Sequence, residues 1–336
     1  AQVEIKHCLD GPILAFAERL ARLPARSIPA RKLGVLQPPW PDLVLFGGGR
    51  SVVDARRIRN ASGAHSRLVC IGRPAAALAT FDLVVTTPQY GLPRHPRVLH
   101  LPLPFHDPGL TVREHAALPD DLSCLPKPWV GVLVGGDSSS YRWTAAAARH
   151  LAVELARLAE RCRASLAIST SPRTPRMLID TIAGHLPQPH YLYRWNSAHS
   201  VNPLNAILTG GDAFVVTADS ASMLAEACAT GRPVASYAPP LNLPARVFEG
   251  RDLPTGSWRA RATAAGWWIP VRNMHRIHAG LAARKRVVDI ADLDPSAPDA
   301  ESTLPEWQQA SRRLSDLLST AVSERTASGP ARATAD

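Results

Sequence analysis

The sequence predicts an α/β protein built from two doubly wound domains with parallel sheets. Short apolar runs alternate with helix-length amphipathic segments, a pattern typical of β–α–β units. At 336 residues the chain is longer than one hydrophobic core usually supports. The strand–loop–helix order also starts afresh at Trp129, after a stretch rich in Pro, Asp and His. We therefore expect two Rossmann-like domains whose strands direct their carboxyl ends at a shared cleft.

The first domain is predicted over residues 1–108. The segment at 12–23 is predicted as a helix, and the run at 43–46 ends in a triple glycine followed by Arg50, which marks a turn at a strand end. The other apolar runs are predicted as strands because they are short and bounded by turn residues. The predicted strands are 3–8, 43–46, 68–71, 83–86 and 98–101.

Residues 109–128 are predicted as a linker, because they are weakly periodic. The second domain is expected over 129–304, with an Ala-rich helix at 144–161. A further helix is predicted at 305–325, and the tail at 326–336 has too few apolar residues to be ordered. The predicted strands of this domain are 129–134, 165–169, 190–194, 213–216 and 234–237.

Composition favours a cytoplasmic protein. The chain contains no run of about 18 uncharged apolar residues and does not open on a signal-peptide core, so we expect it neither to span a membrane nor to be secreted. The five cysteines are scattered singly, without a Cys-x-x-Cys pair, which predicts neither a metal site nor a disulfide framework.

The formal charge of +10 is spread along the chain. A basic surface suits anionic partners in general, including sugar nucleotides and acidic lipid headgroups. No helix-turn-helix, zinc or RNA-binding motif accompanies the charge, so specific nucleic-acid binding is not expected.

The most informative stretch is the turn between the predicted strand at 213–216 and the helix after it. Short polar residues lie where a helix presents unpaired N–H groups to an anion: Thr217, Asp219, Ser220 and Ser222. Glu226 lies on the same helical face as Ser222, where a carboxylate can accept hydrogen bonds from ribose hydroxyls. The turn therefore predicts a nucleotide site. The alternative is that Asp219 or Ser220 merely caps the helix and Glu226 is solvated.

Several motifs together resemble one known family. They are PPWPDLV at 38–44, GGGR at 47–50, FDLVV at 81–85, VLVGG at 132–136, TSPRTP at 170–175, NP at 202–203, VTADSASMLAEA at 216–227 and TGRPV at 230–234. These motifs are similar to those of the family that includes the plant elongated-mitochondria fission factor and its bacterial relatives, whose fold resembles GT-B glycosyltransferases. The resemblance extends from about residue 38 to residue 234.

The resemblance implies a metal-independent, GT-B-like glycosyltransferase without a further cofactor. It would use a UDP- or GDP-linked sugar and act on a cell-envelope or lipid-linked acceptor, as a peripheral protein at an acidic membrane surface. Arg173 would bind the diphosphate through its guanidinium, unless it is simply a solvated arginine. The two glycines at 135–136 would admit the sugar nucleotide, unless they only form a turn that needs positive φ. The implied nucleotide-binding residues are Gly135, Gly136, Ser138, Thr170, Arg173, Thr174, Asp219, Ser220, Ser222, Met223 and Glu226.

The first domain would hold the acceptor. Gly47, Gly48, Gly49 and Arg50 would line that side, unless the glycines only form a flexible turn. Transfer needs a base for the acceptor proton, and the candidates are His106 and Asp54. Family members begin with an additional strand and a glycine–histidine loop, so we expect this chain either to be truncated or to lack that loop.

A second class of function stays open, because a fold does not establish a reaction. The resemblance also implies a non-catalytic adaptor of GT-B shape that recruits a protein partner at a membrane. A sugar epimerase of related fold is a third interpretation.

Overall fold

The computed structural model describes residues 38–106, 119–195, 202–243, 256–301 and 305–328. The predicted strand at 3–8, the predicted helix at 12–23 and parts of the predicted linker and tail lie outside the described residues. The chain divides into two compact units. Of the described residues, the first unit contains 38–101, 256–270 and 308–328, and the second contains the rest. The domain boundaries read from the sequence stay predictions.

The first unit is built on a four-stranded parallel sheet in the order β1-β2-β3-β4. A core cluster that includes Phe81 and Leu68 joins the sheet to the helix α1 (Val52–Ala61), which buries Val52 and Ala55. The strands lie within one residue of the predicted ranges: β1 (Leu43–Gly47), β2 (Arg67–Ile71), β3 (Leu83–Thr86) and β4 (Val98–His100).

The second unit is built on a five-stranded parallel sheet in the order β7-β6-β5-β8-β9. Its strands are β5 (Trp129–Val134), β6 (Ser165–Thr170), β7 (His190–Tyr193), β8 (Ala213–Thr217) and β9 (Val234–Tyr237). From β5 the chain adds β6 and β7 on one side of the sheet and then β8 and β9 on the other. The direction in which strands are added therefore reverses between β5 and β8. The predicted α/β class with two parallel sheets is confirmed.

Burial explains why strand β5 and the helix after it were easy to recognise in the sequence. All six residues of β5 are buried, as expected for a central parallel strand covered on both faces. The helix α3 (Ala145–Cys162) begins at Thr144, whose hydroxyl accepts the N–H of Ala147 at 3.1 Å. Leu151, Leu155 and Leu158 recur at helical spacing and pack into the core of this unit.

The remaining helices are α2 (Asp120–Ser123), α4 (Arg176–Ala183), α5 (Leu204–Gly210), α6 (Ala221–Ala229), α7 (Trp258–Ala264), α8 (His275–Ala283) and α9 (Pro305–Ser328). Sequence patterns did not indicate α1, α2, α5, α7 or α8, since none of these segments has a clear apolar period together with a recognisable N-cap turn. The last helix runs through Ser328, past its predicted end at 325. Within the described ranges, no helix has the length and apolar character needed to cross a membrane.

Candidate functional site

The candidate site lies at the carboxyl edge of the second sheet, beside the reversal between β5 and β8. Open α/β sheets bind ligands at such reversals, because the flanking loops diverge there and leave a crevice. The loops after β5, β6 and β8 bring together Gly136, Arg173 and Asp219, which are distant in the sequence.

Gly135 and Gly136 are required because other groups occupy the space of a side chain. A Cβ on Gly135 would lie 2.0 Å from Oδ2 of Asp219, and a Cβ on Gly136 would lie 1.9 Å from the carbonyl oxygen of Arg173. Neither glycine has a positive φ. The interpretation as a turn that needs a left-handed backbone is therefore wrong, and the close approach of three loops is the reason for these glycines.

The buried carboxylate of Asp219 joins the loops after β5 and β8. Its Oδ2 accepts the N–H of Gly136 at 2.9 Å, and its Oδ1 accepts the hydroxyl of Thr217 at 2.7 Å. The Thr217 oxygen in turn accepts the N–H of Gly135 at 2.7 Å. Since a hydroxyl has one proton, Thr217 connects the two loops by one donated and one accepted bond.

Arg173 supplies positive charge at this edge. Its Nη2 lies 3.4 Å from Oδ2 of Asp219, and its side chain is 51% exposed, whereas that of Asp219 is 0% exposed. Burial raises the pKa of Asp219, although the Thr217 and Gly136 hydrogen bonds and the Arg173 charge act in the opposite direction. Among the described residues, the guanidinium has only two long contacts, to the Asp137 carbonyl at 3.5 Å and to Asp219 at 3.4 Å, and its side chain is half-exposed.

The helix α6 begins at the same edge. Ser220 is its N-cap, and the Ser220 hydroxyl accepts the N–H of Met223 at 3.4 Å. The capping alternative is therefore confirmed for Ser220. The N–H groups of a first helical turn have no acceptor within the helix, and together with the helix dipole they favour an anion. Ser222 is exposed in this turn, and Met223 is half-buried.

Glu226 is half-buried rather than fully solvated. Its Oε2 is buried and has no hydrogen-bond partner among the described residues. Burial raises the pKa of this carboxyl group and is the one cause of the shift. A buried carboxylate oxygen without a donor destabilises the fold, so its position in the helix behind Ser222 calls for a functional explanation.

His278 of α8 is a residue of this site that the sequence did not reveal. Its Nε2 lies 3.0 Å from the carbonyl oxygen of Ala218, and its Nδ1 lies 2.8 Å from the hydroxyl of Ser236. The carbonyl can only accept, so Nε2 carries the proton and Nδ1 accepts from Ser236. His278 thereby fixes the turn between β8 and α6. A lone histidine beyond residue 234, where the motifs end, gave no signal of this role.

The His278 imidazole should make stability depend on pH. Burial lowers its pKa to about 4, from 6.5. Between pH 6.5 and pH 4 the unfolded chain binds a proton at this imidazole and the folded chain does not. The free energy of unfolding is therefore highest above pH 6.5 and decreases as the pH falls towards 4. The loss should be about 3 kcal/mol. We expect urea unfolding at several pH values to show this decrease in the wild type and not in His278→Gln. If the free energy of unfolding depended on pH equally in the two proteins, the prediction would be contradicted.

Three other predicted nucleotide-binding hydroxyls have partners within the protein. The hydroxyl of Thr170 donates to the carbonyl of Tyr193 at 3.0 Å, and that of Thr174 donates to the carbonyl of Val134 at 3.0 Å. The Ser138 oxygen accepts two backbone N–H groups of its own loop. These bonds shape the loops, and direct contact of the three residues with a nucleotide stays a prediction.

The predicted acceptor-side residues lie in the first unit. A Cβ on Gly48 would lie 2.1 Å from the carbonyl oxygen of Arg73, and Gly49 has a φ of 83°. Backbone packing at Gly48 and backbone conformation at Gly49 therefore explain why both residues are glycine. Gly47 ends β1, and a Cβ there would meet nothing within 4 Å. Asp54 is buried in α1 and accepts a hydrogen bond from Arg57 at 2.9 Å.

The second predicted base, His106, is half-buried and is the last described residue before the gap at 107–118. Its role and that of Asp54 stay predictions, as does the assignment of Gly47–Arg50 to an acceptor.

Among the described residues, no three His, Cys, Asp or Glu side chains are grouped as metal ligands would be. The sequence contains an Asp-x-Asp pair, Asp292 and Asp294. Asp294 is fully exposed and accepts hydrogen bonds from the N–H and hydroxyl of Ser296 at 2.9 and 2.7 Å. These bonds lower the pKa of Asp294, with the Ser296 hydroxyl the largest cause.

Taken together, two parallel sheets with helices between their strands, the second sheet built outward in both directions from β5, define an α/β protein of Rossmann-like architecture. The chain belongs to the mitochondrial fission ELM1 family, whose sequence profile matches residues 2–251. The family resemblance predicted from the sequence is confirmed.

A curated relative is the mitochondrial fission protein ELM1 of Arabidopsis thaliana. It is 32% identical over 217 residues, which cover 57% of this chain. The chain spans about half the length of that relative, as 50% of it is covered.

Three solved structures are distantly similar. A Staphylococcus aureus MnaA structure with UDP has a TM-score of 0.47 at 9% identity, and the match covers 94% of this chain and 78% of the MnaA chain. An Escherichia coli structure described as trehalose-6-phosphate bound with UDP-2-fluoro glucose has a TM-score of 0.42 at 15% identity, covering 92% and 79%. The Neisseria meningitidis UDP-GlcNAc 2-epimerase bound to UDP-GlcNAc has a TM-score of 0.40 at 10% identity, covering 82% and 76%.

Proposed function

We propose that the carboxyl edge of the second sheet binds the diphosphate and ribose of a nucleotide sugar. The first turn of α6 offers backbone N–H groups and the positive end of the helix dipole to the diphosphate. The half-exposed guanidinium of Arg173 lies at the same edge and adds a charge-assisted donor. The exposed hydroxyl of Ser222 can donate to a phosphate oxygen.

The observation that carries the proposal is the unpartnered Oε2 of Glu226. Glu226 is half-buried, and holding its Oε2 away from water without a donor costs folding free energy, which a ligand that donates hydrogen bonds would recover. Ribose offers two adjacent hydroxyl donors. Glu226 lies one helical turn beyond Ser222, which separates its charge from the diphosphate while keeping both on one helical face.

The reaction we propose is glycosyl transfer without a metal ion. The bond between the anomeric carbon and the diphosphate oxygen breaks, and the nucleoside diphosphate leaves with the electron pair. The acceptor oxygen bonds to that carbon and gives its proton to a base. Arg173 and the α6 N-terminus stabilise the charge that grows on the leaving diphosphate. A cell-envelope or lipid-linked acceptor and a base at His106 or Asp54 are the assignments that the sequence predicts.

A second candidate function is a non-catalytic adaptor. The family description and the name of the Arabidopsis relative both refer to mitochondrial fission, which favours this alternative. An adaptor that recruits a protein partner has no need of a site for ribose. Binding of a nucleotide at Glu226 therefore separates the two candidates.

The test exploits the cost of the buried carboxylate. Since burial raises the pKa of Glu226, its ionised form destabilises the folded state at neutral pH, and Glu226→Gln should raise the unfolding midpoint. The same variant should bind UDP about ten- to hundredfold more weakly, the loss expected for one hydrogen bond to a charged group. Calorimetric titration gives the affinity, and thermal unfolding gives the stability.

Inorganic pyrophosphate, which has no ribose, is the matched ligand, and Glu160→Gln on the exposed face of α3 is the matched variant. We expect the affinity for pyrophosphate to be unchanged in Glu226→Gln, and both affinities to be unchanged in Glu160→Gln. Equal UDP affinity in Glu226→Gln and the wild type would remove the ribose site. If the wild type bound neither UDP nor GDP, the adaptor would replace the glycosyltransferase.

A further inference from the structure

Three exposed tryptophans and two arginines form one surface feature of the first unit, which we call the tryptophan platform: Trp258, Arg259, Arg261, Trp267 and Trp268. The indoles of Trp258, Trp267 and Trp268 are 60%, 71% and 38% exposed. Indole rings bury a large apolar area where they can, so a group of this size at the surface marks an interaction site.

A helix cap and backbone hydrogen bonds order the main chain of the platform. Its helix, α7, is capped by Ser257, whose hydroxyl accepts the N–H of Ala260 at 3.2 Å. After the helix, the N–H groups of Trp267 and Trp268 both donate to the carbonyl oxygen of Ala262, at 2.8 and 3.1 Å. Gly266, with a φ of 76°, makes the turn between helix and tryptophans possible. These bonds and the turn fix the backbone from which the Trp267 and Trp268 rings project.

The inner face of the same helix carries small side chains. Ala260 and Thr263 are buried, and Ala264 packs against the core of the first unit. A Cβ on Gly266 would lie 2.5 Å from the N of Ala77, so the turn sits directly on the backbone of this unit. The small residues bring the helix close to the core, and the large ones remain outside.

The charge of the platform is uniformly positive. The segment 256–270 contains Arg259 and Arg261 and no Asp or Glu. The guanidinium of Arg259 lies 5.4 Å from the ring centroid of Trp258 and 5.9 Å from that of Trp268. Arg261 is exposed three residues after Trp258, and thus on the same face of α7. Cations and indoles alternate in one small area.

We propose that the tryptophan platform docks the protein on an anionic lipid surface. Indoles partition to the headgroup region, where the ring is in an apolar medium and its N–H remains hydrated. Arginines next to them attract acidic headgroups. This inference concerns the first unit and is independent of the proposed nucleotide site, so the two can fail separately.

The test measures co-sedimentation of the full chain with phosphatidylcholine vesicles that contain or lack phosphatidylglycerol. We expect binding only to the anionic vesicles, and weaker binding as salt is added. Arg261→Gln should bind about fivefold more weakly, as expected for one basic residue near an anionic surface. Trp258→Ala/Trp267→Ala should lose most of the binding, because two interfacial rings are removed.

The matched control is Arg312→Gln, which removes one exposed charge from another helix. Arg313, the next residue of α9, donates to the carbonyl of Pro96, and Arg325 pairs with Asp42, so this helix lies near the amino ends of β1 and β4. The platform turn instead contacts the chain after β2, where Arg73 donates to the carbonyl of Pro270 at 2.7 Å. Arg312→Gln should bind vesicles as the wild type does.

Equal binding to neutral and anionic vesicles, or binding that neither platform variant reduces, would overturn the proposal. So would concentration-dependent self-association that the tryptophan variant abolishes while vesicles fail to bind, because the platform would then join two copies of the chain. Unchanged unfolding midpoints confirm that the variants are folded, and the single Arg261→Gln substitution keeps the test decisive if the double tryptophan variant is unstable.

Discussion

Thr217→Val should be among the most damaging conservative substitutions in this protein. Valine has nearly the shape of threonine, but the change leaves the N–H of Gly135 without its acceptor and Oδ1 of Asp219 without its donor. Thr217 is fully buried, so water cannot replace the hydroxyl. At about 1–3 kcal/mol for each buried group left unpaired, we expect a loss of about 3 kcal/mol in the free energy of unfolding.

Thr86→Val is the matched control in the first sheet. Thr86 ends β3 as Thr217 ends β8, and it is 1% exposed, but its hydroxyl has no hydrogen-bond partner among the described residues. Removing an unpaired buried hydroxyl should leave the stability unchanged or raise it. Urea unfolding gives the two free energies, and amide hydrogen exchange should accelerate at Gly135 in Thr217→Val alone. Similar effects of both substitutions would refute the hydrogen-bond network as the cause.

Gly136→Ala should distort the candidate site itself. The new Cβ would lie 1.9 Å from the carbonyl oxygen and 2.3 Å from the carbonyl carbon of Arg173, distances that no rotamer change can relieve because both atoms are backbone. The loop after β6 must move, at a cost of about 3 kcal/mol or more. The movement displaces the Arg173 guanidinium, so under our proposal the affinity for pyrophosphate should fall together with the stability.

Gly280→Ala is the control for this glycine. Gly280 lies within α8, and a Cβ there would meet nothing within 4 Å. Alanine in a helix interior should stabilise the protein by about 0.5–1 kcal/mol. Urea unfolding and calorimetric titration with pyrophosphate measure both variants. A Gly136→Ala protein as stable as the wild type would show that the three loops are not packed as closely as the structure describes.

Some parts of the candidate site could be predicted from the sequence, and others could not. The strands, the glycines at 135–136 and the polar turn at 217–222 were found from local patterns, since a buried parallel strand, a loop glycine and an N-cap each have a characteristic sequence. Their meeting at one edge followed from parallel topology. The role of the glycines did not follow, because it depends on Asp219 and Arg173, which are remote in sequence and reach the same space only in the folded chain.

The sequence by itself therefore determined the α/β class, most strand positions and the family, all of which rest on periodicity and short motifs. Only the tertiary structure decided that Asp219 is turned inward, that Oε2 of Glu226 is desolvated and that His278 holds the carbonyl of Ala218. It also decided that α7 joins the first unit and that Trp258, Trp267 and Trp268 are exposed there. Burial and hydrogen-bond partners are set by segments far apart in the chain, and no local pattern encodes which of them will meet.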